Sequence, residues 1–175
     1  LDREGLDGFD LLDELEQKLG LTVRPMSWPV GMGQRFQGVY SLYEQKLVLF
    51  RPHSKQELGE SIEITDLSSP ELDKHVGEAA AKELREEVHL IEEVYPPFDQ
   101  QEYMQGDLSP VFFGSAINNF GVRELLDCFV DIAPNPLPRV TEERPVDPKE
   151  DKFSGFVFKI HANMDPKHRD RIAFM

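Results

Sequence analysis

Val111-Phe112-Phe113-Gly114-Ser115-Ala116-Ile117-Asn118-Asn119-Phe120-Gly121-Val122 is the stretch on which the reading of this chain turns. Three consecutive apolar residues, one β-branched and two aromatic, predict a short buried strand at 111–113. Gly114 to Asn119 supplies small and turn-forming residues, and a helix is expected to start near Gly121 with Val122, Leu125, Leu126 and Phe129 on its buried face. Strand, tight turn and helix in that order are the repeating unit of α/β domains, whose ligands bind beyond the carboxyl ends of the strands. The small side chains of Ser115 and Ala116 would let a flat ligand approach the backbone there, where an N–H can donate to a carbonyl oxygen.

Upstream, Phe9, Leu12, Leu15 and Leu19 fall at helical spacing over 8–19, with Gly20 as a stop signal. Residues 21–28 read as one short strand ending at Pro29. Gly38 to Phe50 alternates apolar residues around Glu44-Gln45-Lys46, the pattern of a hairpin, and 61–65 reads as another short strand. A long helix is expected after Ser69-Pro70-Glu71, with serine as cap and proline in the first turn. Val76, Leu84, Val88 and Ile91 mark its buried face, Pro96-Pro97 ends it, and 98–105 suggests a shorter helix. Prolines at 134, 136, 138, 145 and 148 crowd the region before Phe153, where a new strand opens. The organisation expected is a main domain over 1–135 with an α+β insertion at about 29–100. A Pro-rich linker at 136–152 and the first strands of a β domain at 153–175 follow it. The chain opens at Leu1 and stops in mid-pattern at Phe174-Met175, which reads as a piece of a longer protein.

The composition narrows the function classes. With 175 residues and 39% of them hydrophobic, a sizeable core can be buried. Thirty-three acidic against 19 basic residues give a net charge of −14, a field that repels polyanions from a wide surface. The one cysteine, Cys128, cannot form an intramolecular disulfide, lies in an apolar run and reads as a buried structural thiol in a reducing compartment. No apolar run approaches the roughly 20 residues needed to span a bilayer. The five histidines are scattered without metal-ligand spacing, so no metal site is expected. Glu83, Glu86, Glu87, Glu92 and Glu93 read as the solvated face of the long helix, and no serine–histidine–acid constellation can be picked from spacing.

A second segment, Leu1-Asp2-Arg3-Glu4-Gly5, complements the first in one specific way. A guanine edge presents N1–H and N2–H₂ donors beside an O6 acceptor. A carboxylate can accept both donors, and hydrogen bonds to a charged acceptor are roughly twice as strong as neutral ones. Adenine would leave that carboxylate facing an acceptor, a penalty of about 1–3 kcal/mol for each buried unsatisfied group. Taken alone, an aspartate at such a position reads equally as a helix cap or a solvated charge, and Gly-Ser-Ala after a strand as an ordinary turn.

Wider matches tie the two segments together. Leu1-Asp2-Arg3 resembles the tail of the Asn-Lys-Leu-Asp-Arg motif of translational GTPases, and Val111 to Val122 resembles their last guanine-contacting motif. Met26-Ser27-Trp28-Pro29-Val30-Gly31-Met32-Gly33, Phe36-Gln37-Gly38-Val39-Tyr40 and the whole of Lys152 to Met175 are similar to the bacterial peptide chain release factor 3 family. Elongation factor G shares the general plan but not the string Asp165-Pro166-Lys167-His168-Arg169-Asp170-Arg171.

The resemblance implies an α/β fold: the C-terminal half of a P-loop NTPase-type G domain with its insertion, followed by the start of a β-barrel domain. It implies a cytoplasmic GTP-binding factor of translation termination that promotes release of class I release factors from the bacterial ribosome, with no membrane partner. The implied ligand is GTP or GDP, with Mg²⁺ in the intact protein. Asp2 matches the guanine-reading carboxylate, and Ser115 and Ala116 the turn whose backbone contacts the base.

The phosphate half of such a site is not in this sequence. Its nearest approach to a P-loop, Gly33-Gln34-Arg35-Phe36-Gln37-Gly38-Val39-Tyr40, has valine for the lysine and tyrosine for the Mg²⁺-holding hydroxyl, and reads as a decoy. No catalytic residue and no metal ligand is assigned. The isolated chain is expected neither to hydrolyse GTP nor to bind nucleotide tightly. The rival expectation is a module whose insertion docks on protein or ribosome with nucleotide irrelevant.

Lys167, His168, Arg169 and Arg171 form the one dense basic cluster, either a solvated turn or a contact to ribosomal RNA. If they meet phosphates, reversing Lys167 and Arg169 to glutamate in the complete factor will weaken ribosome association and flatten its salt dependence. Co-sedimentation across a salt series reads both effects.

Overall fold

A computed structural model describes residues 3–50, 61–116, 118, 120–162, 167 and 170–175. It is a mixed α/β structure, with parallel and antiparallel sheets, that divides into two compact units, Leu1–Ala133 and Pro134–Met175.

The first unit opens with α1 (Gly8–Leu19). The Asp7 carboxylate accepts from the Phe9 N–H at 2.8 Å and satisfies a donor that the helix itself leaves free. The single strand expected over 21–28 is two strands, β1 (Thr22–Pro25) and β2 (Ser27–Val30). Met26 sits between them and serves both sheets. Its N–H donates to Val111 O at 2.8 Å, and its C=O accepts from Leu42 N–H at 2.8 Å. The sequence hides such a change of sheet, because no break in pattern marks Met26 as the junction. β1 pairs in parallel with β6 (Leu108–Val111), Pro25 opposite Val111. β2 starts an antiparallel meander with β3 (Gly38–Ser41), β4 (Lys46–Leu49) and β5 (Ser61–Glu63).

The long helix expected after Ser69 is also divided, into α2 (Pro70–Val76) and α3 (Glu78–Val94). Gly77 between them has φ 85°, a conformation costly for any residue with a β-carbon. Arg85 fastens the two halves. Its guanidinium meets both oxygens of Asp73, at 3.0 and 2.6 Å, and donates to the carbonyls of Leu67 and Ser69. Val76, Leu84, Val88 and Ile91 are buried, as their spacing predicts, and join Leu12, Trp28, Val39 and Leu47 in the main core.

After α4 (Gln100–Gln105), β6 ends at Val111, earlier than the expected strand over 111–113. Phe112 and Phe113 continue without a ladder partner among the described residues. α5 (Val122–Ile132) follows, and its buried face differs from expectation. Cys128 and Ile132 are the buried residues, packed with Met26, Phe98, Tyr103 and Phe112. Leu125, Leu126 and Phe129 are 42%, 52% and 53% exposed. The helix is apolar on more than one side, and among the described residues of this unit only one side has a neighbour.

β6 likewise has a described neighbour on one edge. Val111 O is taken by Met26, and in a parallel ladder a residue's N–H and C=O face the same strand, so Pro110 and Phe112 face the other way. That edge borders an apolar cleft of about 470 Å³, lined by Leu11, Leu15 and Leu19 of α1 and by Val111 to Gly114.

The second unit holds two short antiparallel ladders, β7 (Arg139–Val140) with β8 (Pro145–Val146) and β9 (Lys159–Ala162) with β10 (Arg171–Phe174). The strand expected from Phe153 thus starts later. Phe158 lies between the rings of Phe156 and Phe174, at 6.2 and 6.4 Å between centroids. Among the described residues, no helix is long and apolar enough to cross a membrane.

Burial, with Asp131 and Glu44 nearby, pushes the Cys128 thiol up to about 11. At pH 8 only about one molecule in a thousand then carries the thiolate. Alkylation by iodoacetamide will be slow in buffer and will accelerate by at least about an order of magnitude in unfolding concentrations of urea, as read by mass spectrometry.

Candidate functional site: the turn after β6

The Phe113–Gly121 segment is a closed loop. Ser115 N–H donates to Phe120 O at 2.8 Å, and Phe120 N–H donates back to Ser115 O at 3.0 Å, an isolated antiparallel bridge. The Ser115 hydroxyl accepts from the Asn118 amide at 3.1 Å. Gly121 closes the base of the loop with φ 73°. A β-carbon there would stand 2.7 Å from Phe113 O and 3.0 Å from the Gly114 Cα, so no other residue fits without moving backbone.

This geometry separates the two residues that the sequence grouped. The Ser115 N–H is consumed in closing the loop. The Ala116 N–H has no hydrogen-bond partner among the described residues, and Ala116 is exposed. Of the two, Ala116 is the backbone donor open to a ligand.

Both limbs of the loop are gripped by the β2–β5 sheet and its connections. On the incoming limb, Phe113 N–H donates to the buried Ser27 hydroxyl at 2.9 Å, and the Phe113 ring meets Trp28 edge-on at 5.1 Å. On the outgoing limb, Phe120 packs edge-to-face against Phe36 and Phe50 at 5.6 and 5.3 Å. Edge-to-face pairs at such distances contribute about 0.5–1.5 kcal/mol each beyond their burial. None of these supports was legible in the sequence, since pairing across about 70 or more residues leaves no local signal.

Asp2 lies outside the described residues, as do His168 and Arg169 of the basic cluster. The residues that follow Asp2 are described, and they rest on the Met32–Phe36 connection. Gly5 N–H points at Met32 Sδ, 3.4 Å away, and a β-carbon on Gly33 would strike Glu4 Cγ at 2.7 Å. That connection also carries Phe36 to Phe120, so the amino-terminal segment and the loop after β6 abut one piece of chain. The same connection contains the P-loop decoy. Gly33–Arg35 is a single 3₁₀ turn leading into β3, with no α-helix N-terminus to receive a phosphate. Lys167 is exposed in the second unit and Arg171 starts β10 opposite Ala162.

Glu87 departs from its expected place on a solvated face. It is half-buried, and its carboxylate accepts from the Trp28 indole N–H at 2.9 Å. Burial pushes its carboxyl above the ordinary range, the Trp28 hydrogen bond opposes this, and Glu83 and Asp7 add to the rise.

No family model matches the chain. Among solved structures it is similar to a crystal structure of a protein from Thermus thermophilus, with TM-score 0.45 and 22% identity over 75% of this chain. The match covers 21% of that protein, so this chain spans about a fifth of its length.

Because the folded carboxyl of Glu87 titrates above its unfolded value, its contribution to stability is fully present below the unfolded value and is lost as pH rises through the folded one. Glu87→Gln keeps an acceptor for the indole and removes the buried charge. It will raise the urea midpoint at pH 7, and the advantage will vanish below about pH 4, where the unfolded glutamate is itself protonated. Fluorescence of Trp28, the chain's single tryptophan, follows the transition.

Proposed function

We propose that the first unit is the base-reading half of a guanine-nucleotide site in a translational GTPase of the release factor 3 type, acting in termination on the bacterial ribosome. Ala116 N–H donates to guanine O6, and the Asp2 carboxylate accepts from N1–H and N2–H₂. The observation that carries this reading is the shared seat on the Met32–Phe36 connection. It takes Glu4 and Gly5 on one side and, through Phe36 and Phe120, the closed loop on the other.

Two further observations fit a site that needs more chain. The outward edge of β6 offers Pro110 C=O and Phe112 N–H, the acceptor and donor that one residue of a parallel strand would satisfy together. Parallel sheets are ordinarily covered on both faces and extended beyond two strands. The cleft beside α1 borders that edge, and α5 leaves Leu125, Leu126 and Phe129 exposed. Strands added there would carry the phosphate-binding loop and Mg²⁺ ligands that this chain does not have, so GTP or GDP, the class I release factors and ribosomal RNA become partners of the complete factor.

A second reading, a docking module in which nucleotide plays no part, draws on α3. Glu83, Glu86 and Glu93 are exposed along its outer side, Glu92 is exposed nearer the cleft at Tyr40, and these carboxylates would suit a basic partner.

In the complete factor, Asp2→Asn will shift preference from guanine to xanthine nucleotides, because the amide donates to the carbonyl that xanthine carries in place of the 2-amino group. A fall of about a hundredfold or more in GDP affinity is expected, with recovery on XDP. Unchanged GDP affinity in titration calorimetry would remove the base-reading assignment and leave the docking reading.

A further inference from the structure

We propose that Trp28 is a positioning residue that fastens the base-contacting loop to α3 through Glu87, so that the outer helix sets the aim of the Ala116 N–H. This deepens the reading above and rests on it for the role of Ala116.

Trp28 is 1% exposed and stands where the elements that support the loop meet. Its ring lies 4.6 Å from Phe9 of α1 and 5.1 Å from Phe113, which opens the loop just before Gly114 and Ser115. The amino-terminal turn of α1 is pressed onto the indole so closely that a β-carbon on Gly8 would stand 2.7 Å from Cη2. The indole N–H is its one polar group, and it donates to Glu87 of α3 at 2.9 Å. Ser27, the preceding residue, holds the Phe113 N–H with its buried hydroxyl at 2.9 Å.

A displacement of α3 therefore reaches Trp28 through that hydrogen bond as well as through the core that Leu84, Val88 and Ile91 share with the indole. From there it passes by ring contact and the Ser27 bond to the incoming limb of the loop. The outgoing limb is held by Phe36 and Phe50 and not by Trp28. Moving one limb of a closed loop tilts the peptide planes at its tip, where Ala116 sits. A docking event on the exposed acidic residues of α3 then has a physical route to base selection.

Amide hydrogen exchange on the 175-residue chain tests the link without nucleotide. Trp28→Phe keeps an aromatic ring and removes the indole N–H. Glu87→Leu keeps the helix and removes the acceptor, and the fold tolerates the change better because Glu87 is only half-buried. Each is expected to lower protection of the Ser115 and Phe120 amides by about tenfold while α2 and α5 hold theirs. Glu87→Gln, which retains an acceptor, should restore protection, and Glu86→Leu on the exposed side should leave it alone. Unchanged loop protection in both Trp28→Phe and Glu87→Leu overturns the proposal. So does an equal loss at every amide of the first unit, which would mark a merely structural role. Either failure leaves the Asp2 and Ala116 assignment standing, and a missing xanthine switch would leave the link standing.

Discussion

The indole of Trp28 organises the first unit because three separate elements converge on it and none can be repacked without the others. α1 presses Gly8 and Phe9 against one part of the ring, Phe113 meets another, and α3 supplies the acceptor its N–H requires. A large ring with one polar atom is well suited to such a junction. Its area supplies burial, and the need to satisfy one buried donor fixes its orientation. Glu87 is partly desolvated in meeting that need, which is why its carboxyl titrates high.

From that junction the loop after β6 inherits its shape. Its own hydrogen bonds close it between Ser115 and Phe120, and its two limbs are held from different directions. Closure has a chemical consequence, since it uses the Ser115 N–H and leaves the Ala116 N–H without a hydrogen-bond partner among the described residues. The region 29–100, expected as an insertion of separate purpose, thus contributes the wall against which the loop is built.

The unit is satisfied on some sides and not on others. Inside the core, buried side-chain donors and acceptors among the described residues all have partners. At the outward edge of β6 and along α5, backbone groups and apolar side chains meet no neighbour among the described residues. The second unit has the same character, with the large apolar residues Phe153, Phe156 and Ile160 exposed beside a two-stranded hairpin. Exposed apolar residues and an unpaired strand edge are surfaces against which further chain or a partner can pack.

What local rules govern could be read from the linear text: the helical spacing and Gly20 stop of α1, the Ser69 cap and apolar stripe of the helical region after it, the hairpin within 38–50, and the strand–turn–helix order that starts at 111–113. Period and punctuation are short-range properties, so they need no knowledge of the fold. The folded chain was required to show where the run at 21–30 changes sheet, because no break in pattern marks Met26 as the junction, and which side of α5 is covered, because two sides could be. It was required also to show that Glu87 turns inward to Trp28, and that the loop closes through the N–H of Ser115 and not that of Ala116. Each of these depends on which distant residue arrives as partner, and a partner 59 or 86 positions away, as for Glu87 or Phe113, leaves no trace in the spacing of its neighbours.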